Sequence, residues 1–228
     1  MRDPALLLSI DTCGPSGSVA LGRLHSGQME VLCQIELAGR AYSATLVSAV
    51  GELLSKAHVT LGLFHSIVVV NGPGSFTGVR VGVSAAKGLA EGASLPVVAV
   101  SRLEVLAFKA RASSAALDAH RNELFLRLAG TESQPRELLA GARELARIHP
   151  APARIAACDD AAAALLRAAW PCVELVPSPP PTAADALALS IPRLARGEFV
   201  DVAFLDGHYL RRSDAEIFGD PAARPLRA

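Results

Sequence analysis

Apolar and polar positions in the first hundred residues alternate between short apolar runs and longer stretches with helical spacing. Continuous apolar runs at 6–10, 67–70 and 96–100 predict strands that are buried on both faces. Two shorter runs, at 18–21 and 31–35, flank a turn at Gly27 and predict a hairpin. Together these runs predict a mixed sheet with an antiparallel edge, and therefore an α/β fold.

The stretches between these runs predict helices. From Ser43, which is a suitable N-cap residue, apolar residues follow the i, i+3, i+4, i+7 spacing of one helix face as far as Ala57. A second helix follows the glycine-rich segment 72–78 and extends to about Glu91. Ser101 is expected to cap a third helix, with Glu104 in the capping-box position.

The second half is rich in alanine and its pattern is weaker. Strands are predicted at 115–118, 124–128 and 154–157; helices at 137–147, 159–169 and 182–196; and a stiff proline linker at 177–181. A faint similarity (strand, Asp, turn, strand) links residues 8–21 with 115–128 and suggests two related halves.

Composition narrows the function classes. Of 228 residues, 51% are hydrophobic and 19% charged, which excludes wholesale disorder. Lys+Arg and Asp+Glu both total 22, so the chain lacks the basic excess of an autonomous nucleic-acid binder. No apolar stretch is long enough to span a membrane, and the N-terminus does not resemble a signal peptide. Four scattered cysteines without a CxxC pair fit a reducing, cytoplasmic location.

Two loops are candidates for binding phosphate. Asp11 and Thr12 end the first buried strand, at the place where actin-like ATPases and sugar kinases hold nucleotide phosphates and Mg²⁺. Such a site needs a second glycine loop, but the corresponding segment at Asp118 contains no glycine. The alternative is a strand end whose carboxylate has a structural role.

The other loop lies between a buried strand and a helix N-terminus, where anions bind readily. Its candidate phosphate-binding residues are Gly72, Gly74, Ser75 and Thr77. The spacing matches neither a P-loop nor GxGxxG. A tight turn with close packing explains the glycines equally well.

The helix after this loop carries a ridge of small residues, Gly78, Gly82, Ala86 and Ala90, flanked by Val79 and Val83. Glycine inside a soluble helix costs about 1 kcal/mol relative to alanine. Close approach of another backbone would compensate, either from the protein's own sheet or from a helix of another subunit.

Catalytic and metal-binding constellations are poorly supported. None of the six histidines forms HExxH or HxxxH, nothing resembles GxSxG, and Cys13 has no histidine nearby in sequence. We therefore assign no catalytic residue and no metal ligand.

Several segments, in this order and spacing, resemble the TsaB (YeaZ) family. They are Leu8-Ser9-Ile10-Asp11-Thr12, Ser18-Val19-Ala20-Leu21, the run Asn71-Gly72-Pro73-Gly74-Ser75-Phe76-Thr77-Gly78-Val79-Arg80-Val81-Gly82, Ala86-Lys87-Gly88-Leu89-Ala90 and Val97-Val98-Ala99-Val100-Ser101. The resemblance is strong over about residues 6–110 and weak beyond. It implies an actin-like (ASKHA, RNase H-like) fold with mixed sheets flanked by helices. The implied division is a first lobe at 1–110, a smaller second lobe at 111–181, and a C-terminal helix and tail at 182–228 that pack back on the first lobe.

The resemblance also implies a noncatalytic scaffold. TsaB proteins pair with a TsaD-type paralogue that transfers threonylcarbamoyl to N6 of adenosine 37 in tRNA, and a TsaE-type ATPase docks on the pair. Pairing, with TsaD or with a second copy as a homodimer, uses the two helices of the first lobe. In this chain the implied partner-binding residues are Ser43, Leu46, Val47, Val50, Leu54, Gly78, Val79, Gly82, Val83, Ala86 and Ala90.

No intrinsic cofactor is implied. ATP or ADP and Mg²⁺ would act only at the level of the complex, and tRNA would be met indirectly through it. The resemblance also predicts that Gly82→Leu or Ala86→Leu abolishes pairing and leaves the monomer folded.

The sequence departs from the family pattern at three places. Tyr42-Ser43 stands where His-Ser is common, Asp118-Ala119-His120-Arg121 where Asp-Ala-Arg is usual, and Gly207 where a proline often precedes Tyr-Leu-Arg. The alternative function is a self-sufficient ATP-dependent phosphotransferase of the same superfamily. A third hypothesis is a peptidase, but the sequence shows neither a catalytic nucleophile nor a group of metal ligands for it.

Overall fold

The computed structural model describes residues 4–129 and 135–211. Its first sheet is five-stranded, with the order β3-β2-β1-β4-β5. Strands β1, β2 and β3 are antiparallel, whereas β4 and β5 run parallel to β1. The strands are β1 Ala5–Asp11, β2 Ser16–His25, β3 Gln28–Ala38, β4 Phe64–Val70 and β5 Val97–Val100. The predicted mixed sheet with an antiparallel edge is confirmed.

The second sheet repeats the topology of the first. Its order is β10-β9-β6-β7-β8, with β6, β7 and β8 antiparallel and β9 and β10 parallel to β6. The strands are β6 Ala115–Asp118, β7 Leu124–Leu128, β8 Arg136–Ala140, β9 Arg154–Ala157 and β10 Glu174–Pro177. Strand β6 therefore takes the place of β1, and the faint internal similarity seen in the sequence corresponds to a structural repeat.

Helices cover both sheets, and two of them, α3 and α6, pack on the sheet of the other half of the sequence. The helices are α1 Tyr42–Lys56, α2 Phe76–Ala93, α3 Arg102–Lys109, α4 Ala142–Leu145, α5 Asp160–Ala169 and α6 Ala183–Arg196. Helices α1 and α2 pack on one face of the first sheet, and α6 contacts all five of its strands. Helix α3 follows the first sheet in sequence but packs on β6, β7 and β9 of the second. The folds of the two lobes are thus interlocked, as in the actin-like class.

Two ion pairs hold α3 against α6. Arg193 donates through Nη2 to both carboxylate oxygens of Glu104, at 2.9 and 3.0 Å. Lys109 Nζ lies 2.8 Å from Oδ2 of Asp185. All four side chains are largely shielded from solvent, which reduces screening by water and salt.

Local signals succeeded at most helix starts. Ser101 and Asp159 cap α3 and α5 with their side chains, as predicted, and Thr182 caps α6 in the same way. Helix α1 begins one residue before the expected cap, Ser43, and its N-cap Ala41 makes no side-chain bond.

The helix predicted at 137–147 is wrong. Residues 136–140 form strand β8, which pairs with β7, and only Ala142–Leu145 are helical. The Glu-Leu-rich composition favours a helix locally, but pairing with β7 overrides that preference. Among the described residues, no helix is long and apolar enough to cross a membrane.

Candidate functional site

Asp11 ends β1 and is buried, with 1% of its surface exposed. Its Oδ1 accepts a hydrogen bond from the backbone N–H of Cys13, at 2.9 Å. Burial raises the pKa of this carboxyl, and the positive charge of Arg102 offsets part of the rise. The charged form of this carboxyl is therefore stabilised by a cation that the chain itself supplies.

Arg102 supplies that charge from the first position of α3. Its backbone N–H donates to the carbonyl of Gly72 at 2.6 Å, and its Nε lies 4.0 Å from Oδ2 of Asp11. The guanidinium also lies directly over Gly14, where a Cβ would approach Nη2 to 2.3 Å. A Mg²⁺ ion at Asp11 would meet a buried positive charge already in place, so these residues do not fit a metal–phosphate site.

Replacing Arg102 by methionine is expected to lower the free energy of unfolding by about 3 kcal/mol, because Asp11 would remain buried without its counter-charge. Adding Asp11→Asn should restore most of this loss, since asparagine is neutral and still accepts the bond from Cys13. Urea denaturation of the two single variants and the double variant measures the coupling.

The matched control is Arg154→Met, which removes an exposed ion pair with Glu174 and should cost less than about 1 kcal/mol. If Arg102→Met also lost less than that, Arg102 would not be the charge that neutralises Asp11.

The glycine loop packs against the loop after β1. Gly74 is so close to this loop that a Cβ would lie 2.1 Å from the carbonyl oxygen of Cys13. That oxygen accepts a bond from Ser75 N–H at 2.9 Å. A Cβ on Gly78 would come within 2.0 Å of the carbonyl oxygen of Thr12, whose own hydroxyl donates to Gly78 O at 2.6 Å. Close packing, the plainer of the two predicted explanations, accounts for these glycines.

The hydroxyls predicted in this loop have different surroundings. Ser75 caps α2, since its Oγ accepts from Gly78 N–H at 3.3 Å, and the side chain of Thr77 is exposed.

The turn that follows β6 in the second lobe does not match the loop after β1. Three consecutive residues after Ala119, namely His120, Arg121 and Asn122, have φ angles of 60°, 58° and 58° and form a tight turn. Asp118 accepts from the backbone of His120 at 2.8 Å and pairs with its ring at 2.9 Å. The carboxylate is engaged within its own turn, which opposes a two-loop nucleotide site.

The small-residue ridge faces the protein's own sheet. All four ridge residues are buried, and a Cβ on Gly82 would lie 2.3 Å from Oγ1 of Thr12. Of the two explanations for the ridge, packing on the chain's own sheet is therefore observed. This packing opposes the expectation that Gly82→Leu or Ala86→Leu leaves the monomer folded, because a Cβ on Gly82 already meets Thr12 and Ala86 is fully buried.

The remaining implied partner-binding residues divide by exposure. Leu46, Val50, Val79 and Val83 are buried and Leu54 is half-buried. Only Ser43 and Val47 lie on the surface, and Val47 is 70% exposed.

Sequence reasoning missed three exposed glycines on the same two helices. Gly51 lies on α1, and Gly88 and Gly92 on α2; nothing lies within 4 Å of a Cβ built on any of them. Exposed serines accompany them, Ser48 on α1 and Ser84 on α2. The available signal was glycine inside a predicted helix but outside the buried ridge.

Two groups near Asp11 that could act in catalysis, Cys13 and Tyr42, are held in structural contacts. The thiol of Cys13 donates to Val70 O at 3.1 Å, and burial raises its pKa well above the usual range. Tyr42, at the position where the family often has histidine, donates its hydroxyl to Gly14 O at 2.8 Å. Over residues 4–129 and 135–211, no three His, Cys, Asp or Glu side chains form a group that could hold a metal.

Comparison with known proteins gives a consistent picture. A family model described as "TsaD: tRNA N6-adenosine threonylcarbamoyltransferase" matches residues 34–136. The TsaB protein of Haemophilus influenzae is 38% identical over 125 residues, which are 52% of this chain and 51% of the relative. That of Escherichia coli is 34% identical over 125 residues, 52% of each chain. The chain thus spans about half the length of the curated relatives it matches.

A solved structure extends the similarity over most of the chain. YeaZ from Pseudomonas aeruginosa is 29% identical, with a TM-score of 0.70, over 90% of this chain and 100% of that one. The fold and the sequence matches point to the same family. The fold consists of two interlocked five-stranded sheets with the glycine loop packed on the end of β1. The curated TsaB relatives and the solved YeaZ structures together support the TsaB/YeaZ family for this chain, within the actin-like superfamily that includes TsaD.

Proposed function

We propose that this chain is a noncatalytic scaffold subunit required for the formation of N6-threonylcarbamoyladenosine at adenosine 37 of tRNA. The support comes from its relatives, which are named tRNA threonylcarbamoyladenosine biosynthesis proteins. The engaged state of Asp11, Cys13 and Asp118 supports a role without chemistry of its own.

The observation that carries the proposal is the outward face of α1 and α2, which we call the helix-pair face. It consists of Ser43, Ala44, Val47, Ser48 and Gly51 on α1, and Ser84 and Gly88 on α2. The seven residues are uncharged, and exposed charged side chains, Glu52, Arg80 and Glu91, border them on the same helices. Nothing in the chain lies within 4 Å of a Cβ built on Gly51 or Gly88. Each glycine lowers helix stability by about 1 kcal/mol relative to alanine. Close approach of helices from another chain would compensate.

A TsaD-type paralogue is the partner that we propose for this face. Such a protein shares the superfamily fold and could present an equivalent helix pair, which small residues allow to approach closely. A second copy of this chain could use the same face, so a homodimer is the alternative state of the free protein.

ATP or ADP and Mg²⁺ enter the proposal only at the level of the complex. Because Arg102 already neutralises Asp11, the isolated chain is not expected to hold MgATP there. A TsaE-type ATPase would supply nucleotide turnover, and tRNA would be held by the assembled complex, since the net charge of this chain is zero.

The alternative is a self-sufficient ATP-dependent phosphotransferase. The position of Asp11 at the end of β1 favours it, whereas Arg102 and the closed glycine loop oppose it. ATP turnover by the isolated chain, lost in Asp11→Ala, would establish this function. A peptidase would require proteolysis that is sensitive to Cys13→Ala or to chelation.

The proposal is tested by size-exclusion chromatography with the organism's own TsaD-type paralogue, and by modification of an ANN-decoding tRNA with and without this chain. We expect a stable pair and modification that depends on the chain. Modification at an unchanged rate in its absence would contradict the proposal.

A further inference from the structure

After α6, which packs on the first sheet, the chain runs between residues of the first and second lobes. Residues 206–211, which we call the strap, run past the end of β4. The backbone N–H of His208 donates to Asn71 O at 2.6 Å, and Nδ2 of Asn71 donates to Asp206 O at 3.2 Å. The strap is thereby bonded to the start of the glycine loop.

Two glycines permit this close approach. Gly72 has a φ of +119°, a conformation that other residues rarely adopt, and a Cβ there would lie 2.8 Å from the carbonyl oxygen of His208. A Cβ on Gly207 would come within 2.6 Å of Cγ1 of Val79 on α2. The first glycine of the loop is therefore explained by the strap rather than by a phosphate.

The strap also contacts the first turn of α2. The ring of Tyr209 stacks on Phe76, with centroids 5.0 Å apart and planes 12° apart. The guanidinium of Arg80 lies over both rings, at 5.6 Å from the Phe76 centroid and 6.0 Å from that of Tyr209. Stacked rings beneath a cation fix the strap to the helix that carries part of the helix-pair face.

The opposite side of the strap is bonded to the second sheet. Nε2 of His208 lies 2.9 Å from Oε2 of Glu137 on β8. The same carboxylate, 8% exposed, accepts from Ser101 Oγ and from Arg127 Nη1, both at 2.7 Å. Burial alone would raise the pKa of Glu137, but these three hydrogen bonds outweigh it and hold the pKa below its usual range.

A second anchor follows at the end of the strap. Arg211 forms an ion pair with Glu123, and its guanidinium lies 5.9 Å from the centroid of the Phe125 ring, at the start of β7. The six-residue strap therefore has anchors on both lobes.

We propose that the strap fastens the second sheet to the first turn of α2, and so holds the two lobes in one relative arrangement without any bound ligand. The fastening is a property of the chain alone. Its consequence is that the second lobe holds the helix-pair face in a fixed position, and only this consequence rests on the proposed function.

Hydrogen exchange of the full-length chain tests the strap without a partner, so failure here is distinguishable from failure of the proposed function. In His208→Ala and in Tyr209→Ala, amide exchange should accelerate about tenfold both at residues 78–80 of α2 and at residues 136–140 of β8, as expected for loss of a charge-assisted bond or a ring stack. Exchange in β4 should be unchanged.

Two controls make the test specific. His120→Ala removes an equally short His–carboxylate contact, with Asp118 at 2.9 Å, outside the strap and should leave both regions unchanged. Tyr209→Phe keeps the stacked ring and should behave like the parent chain.

The proposal would be overturned if the strap variants exchanged their amides in both regions as slowly as the His120→Ala control. Acceleration at only one region would also overturn it, because the strap would then be a local packing element. Should His208→Ala fail to fold, Tyr209→Leu, which retains the His208–Glu137 contact, decides between the same outcomes.

Discussion

Replacing Gly88 by arginine is expected to abolish pairing with the catalytic paralogue while the chain itself stays folded. Gly88 lies on the helix-pair face, and its Cβ direction is open to solvent. An arginine at an exposed helical glycine should raise the free energy of unfolding by about 0.5–1 kcal/mol. In the complex the same side chain would separate two closely packed helices and weaken affinity by about a hundredfold or more. Titration calorimetry and tRNA modification measure the two consequences.

The matched control is Gly62→Arg. Gly62 is equally open, with nothing within 4 Å of its Cβ direction, but it lies outside α1 and α2. The control should pair normally. If Gly88→Arg also paired with the affinity of the parent chain, the helix-pair face would not be the interface, even if the chain proved necessary for modification.

Gly82→Leu, less than two turns earlier on the same helix, should have the opposite effect and destabilise the chain. The first side-chain atom would already lie 2.3 Å from Oγ1 of Thr12, and the remaining three carbons would have to enter the sheet. Overpacking of this kind costs about 3 kcal/mol or more, a large part of a typical domain's stability. A fall in the thermal midpoint and loss of soluble protein are the expected results.

Gly88→Leu is the control for this experiment because it adds the same side chain to the same helix on the open face. It should melt at or above the temperature of the parent chain. A folded Gly82→Leu variant with an unchanged midpoint would show that α2 can move away from β1, contrary to the packing described above.

The sequence was most informative where local chemistry decides the outcome. The apolar runs of β1, β4 and β5 and the side-chain caps at Ser101 and Asp159 are local signals, and each was read correctly. Strand β8 was predicted wrongly as a helix. Its Glu-Leu segment favours a helix locally, and the strand forms only by pairing with β7. The second sheet depends on such pairings, and a single sequence does not reveal them.

Predictions of the site had a similar limit. Patterns identified the glycines of the loop and ridge as unusual, and two explanations remained for each. The structure selects close packing, because the atoms that Gly72, Gly74 and Gly78 approach belong to His208, Cys13 and Thr12. These partners are distant in sequence from the glycines. The pairing of Arg102 with Asp11 left no local signal for the same reason.

The exchange of helices between the sheets has a consequence for biosynthesis. A nascent chain that has emerged only as far as α3 has all five strands of the first sheet but lacks α6, which covers one face of that sheet. It also carries Leu103 and Leu106 on α3, whose packing partners in the second sheet have not yet been made. An amino-terminal fragment should therefore aggregate or bind chaperones. The exposed face of the first sheet is covered only after α6 has left the ribosome and packed on it.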